Sequence, residues 1–185
     1  SRLLTASERL PPMGDEQRPC ASVRPVTSSV GEPVGLGNLG AAVSVSEDAL
    51  LMDMSTPTPT ALTFAEFDAA VSAMARRLHS EYPPGARIGL IGENSVRWVI
   101  ALYAAMRAGL VAVPISYRQP SEIVTFIVGD AELSAVFVSP KHANLIGPAE
   151  CDILPLDRVD LSPRTEATRC VVEVALEQPA MILYT

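Results

Sequence analysis

The chain of 185 residues is the length of one domain, or of one domain with a tail, and its 48% hydrophobic content excludes wholesale disorder. A net charge of −7 with a pI near 4.8 supplies no cationic stripe, so no nucleic-acid partner is expected and docking on anionic membranes is disfavoured. Cys20, Cys151 and Cys170 form no CxxC pair and His79 and His142 have no i,i+4 partner, so no disulfide framework or metal site follows and a reducing cytoplasm is the default.

Residues 1–33 are rich in Pro, Ser, Arg and Glu without a sustained period, and read as a leader with little structure of its own, the body starting at 34. No signal peptide is visible. GLGNLG at 35–40 satisfies G-x-G-x-x-G, but no buried strand precedes it and no good helix follows, so a dinucleotide site is rejected. A short apolar run occupies 49–54, Pro57 and Pro59 mark a turn, and order resumes at Ala61 and Leu62. Thr63 and Glu66 then form a T-x-x-E capping box, with Leu62 and Phe67 as its hydrophobic staple. Phe64, Phe67, Val71, Met74, Ala75 and Leu78 line one helical face. Arg76, Arg77 and His79 suit the negative end of that helix, and Pro83-Pro84-Gly85 stops it.

A strand–helix–strand unit follows. Residues 87–91 read as a strand buried on both faces, 92–95 as a loop, and 96–108 as a helix capped by Asn94 or Ser95 with Gly109 at its C′ position. Residues 110–115 make the second strand, at the spacing of a right-handed parallel crossover. The apolar stretch 98–115 is interrupted by Arg107, Gly109 and Pro114, which argues for a buried helix and strand, not a membrane span. Pro120 opens a third helix reaching about Gly129, 135–138 is a third strand, and 153–156 a fourth. Residues 157–169 read as loop, and 171–175 and 180–184 as further strands. The expected class is α/β, a mostly parallel sheet flanked by helices.

In such sheets ligands bind beyond the carboxyl ends of strands. Tyr117 and Arg118 stand at one such end, though packing or a surface ion pair is the simpler role for them. The 92–95 loop precedes a helix N-terminus where anions can bind, against the plainer reading of a capped turn. Trp98 is most simply a core or half-buried anchor, and the Arg76-Arg77 pair a solvated helix end, not a phosphate patch.

From about residue 49 onward the chain resembles the adenylate-forming superfamily of acyl-CoA synthetases, peptide-synthetase adenylation domains and luciferases. LTFAEF at 62–67 is similar to the family's Leu-Thr-Tyr-x-Glu-Leu segment, and IGLIGENSVRWVIALYAAMRAGLVAVPIS at 88–116 to its strand–loop–helix–strand core. EQPAMILYT at 177–185 is similar to the strand before the signature Thr-Ser-Gly-(Ser/Thr)-Thr-Gly-x-Pro-Lys-Gly loop. Residues 111–118, with Ser116 at an asparagine position, stand closer to the Val-Pro-x-Asn-Tyr-Arg of acyl-CoA ligases than to the Tyr-Val-Pro-Leu-Asp-Pro of adenylation domains.

The resemblance implies a partial amino-terminal subdomain of an enzyme that joins a carboxylic acid to ATP, giving an acyl-adenylate and pyrophosphate, and then transfers the acyl group to coenzyme A. It implies ATP, magnesium and coenzyme A as cofactors of the parent, and the remaining subdomains of the same enzyme as partners. Thr185 is the one cofactor-binding match, as first residue of the phosphate loop; no catalytic residue or metal ligand carries over. The chain by itself is expected to be inactive and to bind none of these cofactors tightly. The alternatives are a non-catalytic module that keeps the fold and binds a protein partner, a piece of a peptide-synthetase adenylation domain, and a flavodoxin-like nucleotide binder.

Overall fold

The computed structural model describes residues 50–54, 57–161, 172–175 and 177–185. The leader at 1–33, the glycine run at 35–40, Cys20 and Cys170 lie outside the described residues.

β1 (Leu50–Asp53) and β2 (Thr60–Thr63) pair antiparallel, with Leu51 opposite Leu62. Helix α1 (Phe64–Glu81) starts at the expected box: Glu66 N donates to Thr63 Oγ1 at 3.1 Å, and Thr63 N to Glu66 Oε2 at 2.7 Å. After it come β3 (Arg87–Ile91), α2 (Val96–Arg107), β4 (Val111–Ile115), α3 (Ser121–Asp130), β5 (Ala135–Val138) and β6 (Asp152–Pro155). Ser95, not Asn94, caps α2, its Oγ accepting from Trp98 N at 3.2 Å. Pro120 is the cap residue of α3, one place before its first turn.

The four later strands form one parallel sheet in the order β4-β3-β5-β6. Alternation along each strand divides the core in two. Ile88, Leu90, Ala112, Ala135 and Phe137 pack with α1 and α2, while Ile91, Val113, Ile115, Val136 and Val138 pack with α3. That is why these strands read as continuous apolar runs. Phe67, Val71 and Leu78 are buried on the α1 face, each contributing about 1.5–3 kcal/mol.

Two expected strands change. Residues 172–175 form no strand; Val172 N instead donates to Arg107 O at 3.2 Å. Among the described residues the free edge of β4 is met at one parallel bridge, Ala112 to Met181. Ala112 N donates to Ala180 O and Ile182 N to Ala112 O, so the expected strand at 180–184 is reduced to that bridge. Gly109 has φ +75° as the C′ residue of α2, and an added Cβ would meet Val172 Cγ1 at 3.0 Å. Among the described residues no helix is long and apolar enough to cross a membrane.

Arg107, expected only to interrupt an apolar run, is 2% exposed. Its Nη2 donates to Asp68 Oδ1 at 2.6 Å and its Nη1 to Ser72 Oγ at 2.7 Å, joining α2 to α1. Asp68→Ala removes the carboxylate from that buried charge and should cost about 3–5 kcal/mol in chemical denaturation, whereas Asp68→Leu combined with Arg107→Met should recover most of it.

Tyr82, just after α1, donates from Oη to Asp152 Oδ2 at 3.0 Å, linking the helix to β6. Burial, then the Asp152 charge and hydrogen bond, raise its pKa above that of a free phenol. The native state holds the proton that the unfolded chain releases near pH 10, so this stability is intact below about pH 10 and is lost as pH rises further. Denaturation midpoints followed into that range should fall more steeply for the native chain than for Tyr82→Phe.

Candidate functional site

Parallel pairing brings three loops to one end of the sheet: 92–95 after β3, 116–119 after β4, and the turn that follows β5. There an open cleft of about 650 Å³ lies between the helix α2 start and the β4 loop. Its lining includes Asn94, Trp98, Ser116, Tyr117, Arg118 and Tyr184. This is the position at which open α/β sheets take ligands.

Each wall has a local cause. Trp98 stands in the first turn of α2, partly buried against the larger core and lining the cleft, so the anchor reading holds and the ring also faces the site. That turn is fixed twice, by the Ser95 cap and by Asp53 Oδ2, which accepts from Val96 N at 3.0 Å. Gly92 lets β3 leave the sheet at close quarters: an added Cβ would lie 2.8 Å from Leu156 Cδ1. The 116–119 segment is a turn closed by Gln119 N to Ser116 O at 3.1 Å. Tyr184 is held to α3 through Oη and Asp130 Oδ2 at 2.6 Å.

Tyr117 stacks on His142, with ring centroids 4.6 Å apart and planes 17° from parallel, and the Arg118 guanidinium lies 5.7 Å from the Tyr117 centroid. Glu93, between the cleft-lining Gly92 and Asn94, meets the turn after β5. Its Oε1 is 3.2 Å from His142 Nε2 and 3.3 Å from Lys141 Nζ, and its Oε2 accepts from Ser139 Oγ at 3.3 Å. Hydrogen bonding from its own backbone, then from Lys141 and His142, outweighs partial burial and holds its pKa down to about 2.

Tyr117 and Arg118 are thus brought together at the cleft, where their strand-end position pointed. Thr185 is exposed and directly follows Tyr184. Arg77 is elsewhere, paired with Glu81 at 2.9 Å and lining a separate apolar groove with Leu154 and Pro155. The glutamate–histidine–tyrosine cluster has no local signal in the sequence. Its members are tens of residues apart, and only the strand order, with β3 between β4 and β5, makes them neighbours.

Among the described residues no group of three His, Cys, Asp or Glu side chains could hold a metal ion. Arg118 is the charged residue among those lining the cleft. This set fits neither magnesium nor a triphosphate.

The AMP-binding enzyme family matches residues 41–185. Among curated relatives, a linear gramicidin synthase of Brevibacillus parabrevis is 27% identical over 67% of this chain and 2% of its own length. Feruloyl-CoA synthase of an Amycolatopsis species is 27% identical over 68% of this chain and 26% of its own. The chain therefore spans a small part of the relatives it matches. The amino-terminal domain of FACL13 from Mycobacterium tuberculosis superposes with a TM-score of 0.69 at 25% identity, covering 83% of this chain and 42% of that one. The order of strands and helices, the cleft beyond β3 and β4 and the match over residues 41–185 agree: the chain belongs to the AMP-binding enzyme family of adenylate-forming ligases.

Proposed function

We propose that this chain is the amino-terminal α/β part of a longer cytoplasmic ligase that activates a carboxylic acid with ATP. Acid and ATP give an acyl-adenylate and pyrophosphate, and the acyl group then passes to the thiol of coenzyme A. The family match over 41–185 carries the reading.

Joining two anions into a mixed anhydride is an electrostatic problem, met by positive charge and oriented donors around the phosphates. The described residues do not supply that set. What the chain contributes is the sheet, one wall of the cleft and, as first residue of the phosphate loop, Thr185. The remaining subdomains of the same enzyme are its proposed partners and the carboxylic acid its substrate.

A second reading, a piece of a peptide-synthetase adenylation domain, is favoured by the similarity to gramicidin synthase. The run Val113-Pro114-Ile115-Ser116-Tyr117-Arg118 supports the coenzyme A branch instead.

Pyrophosphate exchange with a panel of carboxylic acids tests the proposal, using these 185 residues and the product of the whole gene. Exchange is expected only in the long form, together with a coenzyme A thioester. Turnover by the short chain overturns its assignment as scaffold. A long form that acylates a carrier-protein thiol and not coenzyme A establishes the second reading.

A further inference from the structure

One imidazole ties together the three loops at the carboxyl end of the sheet. His142 stands in the 3-10 turn Pro140–Leu145 after β5. Its ring stacks on Tyr117, from the loop after β4, and its Nε2 meets Glu93, from the loop after β3. β3 lies between β4 and β5 in the sheet, so the ring reaches across one strand to touch the loop of the next. Its side chain is 20% exposed, which leaves it reachable by protons yet held by its neighbours.

We propose that His142 is a positioning residue, whose ring holds the 116–119 loop at the cleft and holds it more tightly when protonated. The inference rests on the cleft being the ligand side of the proposed ligase, and its test requires no turnover.

The charges around the ring determine the sign. An imidazole changes charge between about pH 5 and pH 8. Glu93 stays anionic throughout that range, because its pKa is held down to about 2. Protonation therefore turns a hydrogen bond between a neutral ring and a carboxylate at 3.2 Å into a contact between two opposite charges, and sets a cation on the face of Tyr117. Two cations oppose it. Lys141 Nζ shares Glu93 Oε1 at 3.3 Å, but its side chain is 77% exposed and screened. Arg118 is 5.7 Å from the Tyr117 centroid. Helix α3, packed on the turn, brings the exposed acids Glu122 and Asp130, the second already engaged by Tyr184. With a carboxylate in direct contact and the cations one group further away, attraction prevails.

Trp98 is the chain's single tryptophan and lines the same cleft, so its quenching by acrylamide reports how open the loop is. In the 185-residue chain, quenching should fall about two- to five-fold on going from about pH 8 to about pH 5. His142→Gln should leave quenching high and flat with pH. His142→Phe keeps an aromatic partner without a proton and should give lower, equally flat quenching. His79→Gln should retain the native profile, and circular dichroism checks that each variant is folded. A flat profile in the native chain, or a pH step that survives in either His142 variant, overturns the proposal. Should His142→Gln not fold, His142→Phe decides alone.

Discussion

Arg107 carries a positive charge at 2% exposure in the last turn of α2, and the packing of both long helices is arranged around it. Its guanidinium donates to the Asp68 carboxylate, the Asp68 carbonyl and the Ser72 hydroxyl, three acceptors within one turn of α1. Ala101, Ala104 and Ala105 of α2 are fully buried in the same core cluster. Alanines let the helices approach closely but distinguish one register poorly from the next. A buried charge does distinguish them, because a shifted register separates it from the Asp68 carboxylate and the Ser72 hydroxyl. The same turn also receives the returning chain, through Arg107 O and Val172 N.

Fixing the carboxyl end of α2 fixes its amino end too, at the other end of a rigid twelve-residue rod. There Ser95 and Asp53 take up free amides, and Trp98 is set facing the cleft. The core and the site are thus coupled through one helix, although they sit at opposite ends of it. The sheet does the rest: parallel strands deliver their carboxyl-end loops to one side, where a mostly apolar scaffold places its polar groups.

Most of the fold was legible in the residues because its signals are local. The Thr63–Glu66 box, the Ser95 cap region, Gly109 and the apolar runs of β3, β4 and β5 each show within a few positions of sequence what structure they require. The partners of Arg107 were less visible. Asp68 and Ser72 are spaced i,i+4 along α1, beside its apolar stripe, and such a polar pair reads equally well as solvated. The rim of the cleft was least visible. Tyr117 and Arg118 were picked out by position, but His142 looked isolated and Glu93 looked like a turn residue, because their contact depends on strand order. The segment 180–184 has the composition of a strand and makes one bridge, since pairing needs a matching length of partner as well as β-propensity.

The Glu93–His142 contact spans 49 residues of chain, and it cannot form until β5 has docked beside β3. Closing a loop of that length has an entropic cost that the contact itself is too weak to offset, so the strands must meet first. Helix α1, its capping box and the β3–α2–β4 unit involve much shorter separations and can assemble earlier. In kinetic terms the cleft rim is a late product of folding: a chain arrested before β5 joins would have Trp98 and the β4 loop, with nothing yet bracing the loop in place.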